Sequence, residues 1–208
     1  MALFADRTAA GHELADVLAS WRGRDALVAG IPRGGVVVAA EVARVLGLPL
    51  GVVIVRKLGA PGQEEFAVGA IAEDVRVLNA APRREDAVSP ARIAEVEAAE
   101  RVELERRGRL FGAADDVRDR VVIVVDDGIA TGATATAACR SLRARGAGRV
   151  ILAAPVAPAE WEPGPDDVDG YVCPHRMRPF WAVGEFYDDF TQTSDAEVVG
   201  LLSHDLRD

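Results

Sequence analysis

The sequence predicts an α/β domain in which helices flank a mostly parallel sheet of about five strands. Short runs of apolar, largely β-branched residues have the composition of strands buried on both faces, and VVIVV at 121–125 is the clearest of them. The runs at 26–30 and 121–125 each end in a glycine-containing turn that leads into a helix-compatible segment. Strands followed by helices imply right-handed parallel crossovers. With 208 residues, 50% of them hydrophobic, the chain can bury one substantial core.

Composition excludes several classes of protein. A net charge of −9 argues against a nucleic-acid surface. No apolar run reaches the length of a membrane span, because Glu41 and Arg44 interrupt the best candidate, and early charges argue against a secretory signal. The two cysteines, Cys139 and Cys173, offer neither a disulfide framework nor metal-ligand spacing. We therefore expect a cytoplasmic protein with no nucleic-acid or membrane partner.

The remaining elements follow from hydrophobic pattern, turn residues and capping signals. We predict helices at 36–46, 91–110, 133–145 and 195–202, and a first helix capped by Asp6. Strands are predicted at 26–30, 51–55, 121–125, 149–156 and 168–172. A glycine- and proline-rich loop at 56–65 and a hairpin of residues 66–71 and 75–78 lie between the strand at 51–55 and the helix at 91–110. Ser89 and Ser194 are predicted to cap the helices at 91–110 and 195–202. The highly charged helix 91–110 is interpreted as a solvated structural helix, with a homodimer contact as the alternative.

Two carboxylates end the central strand. Asp126 and Asp127 follow VVIVV directly, and a short turn of small and hydroxyl residues, 128–134, precedes a helix. Open α/β sheets bind ligands at the carboxyl ends of their strands. The backbone N–H groups of such a turn suit a phosphate, whereas paired carboxylates accept hydrogen bonds from vicinal hydroxyls or attract a divalent cation. The motif therefore indicates a sugar phosphate, and this turn contains neither a Walker loop nor a GxGxxG fingerprint.

This stretch, VVIVVDDGIATGAT, resembles the signature of type I phosphoribosyltransferases. The resemblance implies their Rossmann-like fold with a small C-terminal hood. It also implies that Asp126 and Asp127 hold the ribose 2′- and 3′-hydroxyls of phosphoribosyl pyrophosphate (PRPP). The loop that would wrap the 5′-phosphate consists of Ala130, Thr131, Gly132, Ala133 and Thr134.

The turn after the first strand, IPRGG at 31–35, resembles the pyrophosphate loop of the same family. It again lies between a strand end and a helix start, a place suited to anions. The resemblance implies that Arg33, Gly34 and Gly35 bind the pyrophosphate. The family often has a non-proline cis peptide in this loop, which by position is the Pro32–Arg33 bond.

Arg56 and Lys57 follow the predicted strand at 51–55, where the family has a mobile loop with basic residues that reach the pyrophosphate. Lys57 is also the only lysine in the chain, since every other one of the 24 basic residues is arginine. Lysine and arginine are not physically interchangeable, which suggests a specific role for this ammonium. We therefore predict Arg56 and Lys57 as catalytic residues, together with Asp126 and Asp127.

The C-terminal segment FWAVGEFYDDF, 180–190, resembles the hood of purine phosphoribosyltransferases. Aligned on its glycine, the resemblance implies that Trp181 stacks on the base. It implies in the same way that Asp188 meets the metal–pyrophosphate, with Mg²⁺ as the cofactor.

The implied reaction is displacement of pyrophosphate from PRPP by a nitrogenous base. Two departures from purine salvage enzymes leave the base unidentified: Ala130 stands where they carry an aspartate, and no lysine occurs between 149 and 161. A non-catalytic PRPP or nucleotide sensor is the alternative function, and a hydrolase with Asp126 as nucleophile is a third hypothesis.

The whole chain, 1–208, is predicted to form a single phosphoribosyltransferase domain. Its core is expected at about 25–157, with a helical insertion at about 85–118. The hood is expected at about 158–208, together with the N-terminal helix. The expected partners are the small-molecule substrates PRPP and a base, with association into a homodimer left open.

Overall fold

A computed structural model describes residues 2–60, 63–73, 75–78, 90–112 and 117–204 of the chain. The α-helices of this part are α1 (Arg7–Val17), α2 (Gly34–Leu46), α3 (Pro90–Phe111), α4 (Ala133–Ala144) and α5 (Asp195–His204). Its strands are β1 (Ala26–Gly30), β2 (Leu50–Val52), β3 (Arg56–Ala60), β4 (Gln63–Ala72), β5 (Val75–Leu78), β6 (Val121–Val125), β7 (Arg149–Ala153), β8 (Val156–Pro158), β9 (Gly170–Val172) and β10 (His175–Met177). Short 3₁₀ helices occupy Ala19–Trp21 and Val183–Phe186. Within the described ranges, no helix has the length and apolar character that crossing a membrane requires.

Five parallel strands form the central sheet in the order β2-β1-β6-β7-β9, which confirms the predicted fold class. β1 and β6 are neighbours, with Val28 opposite Ile123. Leu27 and Val122 pack on the face covered by α4 and the β3–β4–β5 sheet, whereas Val28 and Ile123 pack on the face covered by α1 and α2. All four side chains are fully buried, which explains why these strands are continuously apolar rather than alternating.

The crossovers leave β1 and β6 in opposite directions along the sheet. α2 carries the chain from β1 to β2 on one side, and α4 carries it from β6 to β7 on the other. Where crossovers diverge in this way, a crevice opens at the carboxyl ends of the two strands. Both predicted PRPP loops, 31–35 and 126–134, begin at this point.

The prediction of a loop at 56–65 is wrong at both of its ends, because residues 56–60 form β3 and residues 63–65 belong to β4. Residues 56–60 form β3, which pairs antiparallel with β4, and the register shifts on both sides of Gly59 accommodate that glycine. Leu58 and Ala60 are buried whereas Lys57 is exposed, so the segment alternates as a half-buried strand does. Residues 61 and 62 lie outside the described residues.

A proline explains the second difference. The predicted strand 149–156 is divided into β7 and β8, because Pro155 has no N–H to contribute to a continuous ladder. The β4–β5 hairpin and helix α4 are confirmed. So is the first helix cap, since the Asp6 carboxylate accepts a hydrogen bond from the Ala9 N–H at 2.8 Å. Ser89, the predicted cap of α3, lies outside the described residues.

The N-terminal residues and residues 180–191, which we call the hood segment, lie side by side. The N–H groups of Leu3 and Phe4 donate to the Phe186 carbonyl at 3.0 and 2.9 Å, and the Asp188 N–H donates to the Phe4 carbonyl at 2.9 Å. Phe4 and Phe186 also share an apolar cluster with Tyr187. The N-terminal residues and the hood segment therefore meet beside the start of α1.

Candidate active site

The acid pair Asp126 and Asp127 lies immediately after β6, at the carboxyl edge of the sheet. Asp126 Oδ1 accepts the N–H of Asp127 at 3.0 Å, and Asp127 Oδ2 accepts the Nε–H of Arg7 at 2.8 Å. The second oxygens, Asp126 Oδ2 and Asp127 Oδ1, accept no hydrogen bond from another residue that the structure describes. Each carboxylate thus offers one oxygen to a ligand, an arrangement that suits two neighbouring hydroxyls.

The fold holds the two carboxylates of the acid pair close together although their negative charges repel each other. Burial raises the pKa of Asp126 well above its ordinary value, and the charge of Asp127 raises it further. Burial also raises the pKa of Asp127, although the Arg7 guanidinium opposes that effect. Carboxylates that a fold keeps close together and desolvated are typical of binding and catalytic sites.

Replacing Asp126 with asparagine is expected to stabilise the folded protein at neutral pH. Because folding raises the pKa of this carboxyl, the folded state binds the proton more tightly than the unfolded state does. The free energy of unfolding therefore falls as the pH rises from the unfolded-state pKa to the folded-state pKa. The gain should therefore be largest at high pH and should vanish below the ordinary aspartate pKa of about 3.9. Thermal melts of parent and variant across this range measure it, and about 1 kcal/mol corresponds to about 2–4 °C in a domain of this size. A lower melting temperature for Asp126→Asn at neutral pH would contradict the assignment.

The IPRGG turn packs directly against the acid pair. A Cβ atom on Gly34 would lie 2.0 Å from Asp127 Oδ2, and one on Gly35 would lie 2.9 Å from the Val125 carbonyl oxygen. The Pro32–Arg33 bond is cis, as expected. No side chain of a described residue caps the start of α2, and uncapped helix starts are suited to binding an anion. The structure therefore brings both predicted PRPP loops together.

The turn after the acid pair, 128–134, is also a glycine-containing turn that leads into a helix without a side-chain cap. Gly132 has φ +79°, a conformation that favours glycine, and no side chain caps α4, which starts at the next residue. Thr131 is exposed and Thr134 is half-buried. A Cβ atom on Gly132 would lie 2.1 Å from Nε1 of Trp161, so this indole covers the turn. Sequence reasoning missed this contact, because Trp161 lies in a proline-rich segment far along the chain.

The predicted cations lie in different surroundings. Arg33 Nη1 is 3.6 Å from Oδ1 of Asp195, the first residue of α5. Arg56 Nε donates to Glu100 Oε2 on α3 at 2.6 Å. Lys57, the next residue, is exposed on β3 rather than on a loop. Arg33 and Arg56 each lie beside a carboxylate, on α5 and on α3 respectively.

The hood segment covers one side of the acid pair. Val183 lies against Gly128, where a Cβ atom would be 2.4 Å from Val183 Cγ1, and the Tyr187 O–H donates to the Asp127 carbonyl at 2.5 Å. Burial and the charge of Asp127 raise the pKa of Tyr187, which keeps its phenol protonated as a donor. Trp181 is 81% exposed at the surface of this segment, so its indole is not packed against the acid pair.

Comparison with known proteins identifies the family. The phosphoribosyl transferase domain matches residues 7–190. The chain belongs to this family. The match confirms the recognition made from VVIVVDDGIATGAT. The matched range contains both predicted PRPP loops and Asp188.

Individual relatives agree with this assignment. Two curated proteins of Mycobacterium tuberculosis, "Putative phosphoribosyl transferase Rv0571c" and "Putative phosphoribosyl transferase MT0597", are each 47% identical to this chain over an alignment of 220 positions. The alignment covers 100% of this chain and 48% of each relative. The phosphoribosyl transferase domain described here therefore spans about half the length of the curated relatives it matches. TT1426 from Thermus thermophilus is 39% identical, with a TM-score of 0.72 over 97% of this chain and 98% of that one. A hypoxanthine phosphoribosyltransferase from Staphylococcus aureus shares the fold, with 11% identity and a TM-score of 0.50 over 87% of this chain and 80% of its own.

Proposed function

We propose that the chain transfers the 5-phosphoribosyl group of PRPP to a nitrogenous base and releases pyrophosphate in a Mg²⁺-dependent reaction. The observation that carries this proposal is the acid pair, with one open oxygen on each carboxylate, between two helix starts that no side chain caps. Hydroxyls need acceptors and phosphates need donors, and this crevice supplies the two kinds of group side by side. A ribose that carries phosphate at both ends matches that distribution.

The sugar would lie between the two loops. Asp126 and Asp127 accept hydrogen bonds from the 2′- and 3′-hydroxyls, and the turn 130–134 surrounds the 5′-phosphate with backbone N–H groups. Gly34 and Gly35 contribute N–H groups to the pyrophosphate on the opposite side. Fixing both ends of the ligand holds C1 in place for attack, which is a major source of rate enhancement.

The chemistry breaks the bond from C1 to a pyrophosphate oxygen and forms a bond from C1 to a nitrogen of the base. Such glycosyl transfer passes through an oxocarbenium-like state while negative charge grows on the leaving group. We assign stabilisation of that charge to Arg33, Arg56 and Lys57. Arg33 and Arg56 would have to leave Asp195 and Glu100 to reach it.

The residues near the crevice are compatible with magnesium. The described residues contain no group of three or more His, Cys, Asp or Glu side chains that could hold a metal ion. Mg²⁺ is usually bound by one or two carboxylates together with substrate phosphates, so a single exposed carboxylate such as Asp188 fits that role. When bound, Mg²⁺ would act as a Lewis acid on the diphosphate.

The acceptor is proposed only as a nitrogenous base. Ala130 is exposed next to the acid pair and offers no polar group to a base. Trp181 supplies a large aromatic surface on the hood segment, and base–aromatic stacking tolerates any base because every base has a π-face. Selection among bases would therefore depend on groups other than these two.

The proposed setting is a reducing cytoplasm. Cys139 and Cys173 are free thiols, the first of them buried. Burial raises the pKa of Cys139 to about 12, which suppresses the reactive thiolate. Unpaired thiols of this kind are usual in reducing compartments.

Calorimetry and a pyrophosphate-release assay test the proposed function. The protein is titrated with PRPP in the presence of Mg²⁺, and release of pyrophosphate is then followed with a panel of purine, pyrimidine and other nitrogenous bases. We expect saturable binding of PRPP and release with at least one base. Absence of PRPP binding would refute the proposal.

A non-catalytic PRPP or nucleotide sensor is the second candidate. It is favoured by the ion pairs of Arg33 with Asp195 and of Arg56 with Glu100, which hold two of the proposed catalytic cations away from a ligand. A sensor would bind PRPP with Mg²⁺ in the calorimeter and release no pyrophosphate with any base.

Replacing Lys57 with alanine is expected to slow turnover more than it weakens PRPP binding. The ammonium is assigned to charge that develops on the leaving group, and loss of one such electrostatic contact typically lowers the rate about 100-fold. Steady-state kinetics give kcat, and calorimetry gives the Kd of PRPP. Lys57→Arg keeps the charge with a different geometry and should recover part of the rate. An unchanged kcat in Lys57→Ala would remove this residue from the mechanism.

A further inference from the structure

Arg7 connects three parts of the candidate site. It is the first residue of α1, and only 11% of its side chain is exposed. Its Nε donates to Asp127 Oδ2 at 2.8 Å, and its Nη1 donates to the Thr191 carbonyl at 2.9 Å. The guanidinium also lies over the ring of Phe190, 3.9 Å from its centroid. One side chain thus joins the N-terminal helix, the acid pair and the hood segment.

We infer that Arg7 is a positioning residue that couples the acid pair to the hood segment. A change at the Asp127 carboxylate reaches Phe190 and Thr191 through the guanidinium, and movement of the hood segment reaches Asp127 by the same contacts. Because Arg7 occupies Oδ2 of Asp127, it fixes the carboxylate and leaves Oδ1 to a ligand hydroxyl. The identity of that ligand rests on the proposed function, whereas the coupling is a property of the chain without ligand.

The contacts around Arg7 make this coupling tight. Gly34 closes one side, since a Cβ atom there would lie 2.6 Å from Arg7 Nε. Tyr187 holds the Asp127 backbone from the hood segment, while Arg7 holds the Asp127 side chain. A guanidinium with this many contacts has little freedom to shift without its neighbours, because close-packed groups transmit displacement.

The backbone N–H of Asp188 is a reporter of hood docking. It donates to the carbonyl of Phe4 at 2.9 Å, and Phe4 precedes Arg7 by three residues in the chain. A hydrogen-bonded amide exchanges with solvent only when the structure around it opens. The exchange rate at Asp188 therefore measures how often the hood segment leaves the N-terminal residues.

A double-mutant cycle tests the coupling without ligand. Arg7→Met, Asp127→Asn and the combined variant are compared with the parent by amide exchange at Asp188, with the core amide of Val124 as a reference for global opening. Replacing the Asp127 carboxylate with a neutral amide weakens its pairing with the Arg7 guanidinium, which is expected to speed exchange at Asp188 about 3- to 10-fold in Asp127→Asn. The same substitution should have no effect in the Arg7→Met background. Equal effects in both backgrounds would overturn the inference.

Two further variants keep the cycle interpretable. Arg44→Met removes another arginine–carboxylate pair, the one that Arg44 forms with Glu41 on α2. The Arg44 side chain is 64% exposed. It is expected to leave exchange at Asp188 unchanged. Should Arg7→Met fail to fold, Arg7→Lys takes its place, because one ammonium cannot reproduce the forked contacts to Asp127 and Thr191.

A second arm adds PRPP and Mg²⁺. We expect the ligand to slow exchange at Asp188 in the parent, and Arg7→Met to lose that response and to bind PRPP about tenfold more weakly. Unchanged binding and an unchanged response in Arg7→Met would overturn the coupling and leave the proposed function intact. If the parent itself fails to bind PRPP, the proposed function fails, and the ligand-free cycle still decides the role of Arg7.

Discussion

Replacing Asp126 and Asp127 together with asparagine is expected to abolish binding of PRPP while the chain still folds. Each carboxylate offers one open oxygen, and the proposed ligand places one hydroxyl on each. A hydrogen bond to a charged acceptor contributes about 1.5–3 kcal/mol, so loss of two should weaken binding about 100-fold or more. Calorimetry with Mg²⁺ measures the affinity.

Folding should survive this change because asparagine matches aspartate in shape. An asparagine oxygen can still accept the N–H of residue 127 and the Nε–H of Arg7, the two internal hydrogen bonds of the pair. Removing two buried charges also relieves the desolvation that raises the pKa of both carboxyls. The double variant should therefore melt no lower than the parent at neutral pH.

Exposed aspartates provide the matched control. Asp16 and Asp25 are exposed, and replacing both with asparagine changes the net charge of the chain by the same amount as the double variant does. This control should bind PRPP as the parent does. If the Asp126/Asp127 double variant bound PRPP with the parental affinity, the ribose assignment would be wrong.

The acid pair and its loops could be predicted because their determinants are local. A buried parallel strand needs only a short apolar run, and a phosphate-binding turn needs small residues directly before a helix. The residues at 121–134 meet both requirements within one stretch. Their meeting with Gly34 and Gly35 follows from the adjacency of β1 and β6, which a parallel sheet of this pattern requires.

Arg7 could not be found in the same way. Its contact with Asp127 joins residues 120 positions apart and depends on how α1 packs over α2. In sequence it is one arginine among many, at the start of an ordinary helix. Trp161 was missed for the same reason, because its contact with Gly132 is tertiary.

One loop prediction and one strand prediction were wrong where tertiary packing decided the outcome. Glycine and proline content predicted a loop after Val55, whereas burial of Leu58 against neighbouring elements favours β3. The predicted strand at 51–55 ends at Val52, although the three following residues are also buried. Burial alone therefore did not decide which apolar residues join the ladder.

Replacing Gly34 with alanine is expected to damage both PRPP binding and the stability of the fold. The new Cβ would lie 2.0 Å from Asp127 Oδ2 and 2.6 Å from Arg7 Nε, so either the start of α2 or the acid pair has to move. A displacement of about 1 Å at reacting groups can lower activity about 100-fold, and overpacking of this kind costs about 1–3 kcal/mol of stability. PRPP affinity, pyrophosphate release and thermal melting measure the three consequences.

Gly108 supplies the control for this experiment. It lies within α3, and nothing lies within 4 Å of the position that its Cβ would take. Alanine is preferred to glycine in a helix by about 1 kcal/mol, so Gly108→Ala should bind PRPP normally and melt slightly higher than the parent. The two substitutions add the same methyl group and should change stability in opposite directions. If Gly34→Ala bound PRPP with the parental affinity, the contact of this loop with the acid pair would not shape the binding site. The assignment of Gly34 and Gly35 to the pyrophosphate would then lose its structural support.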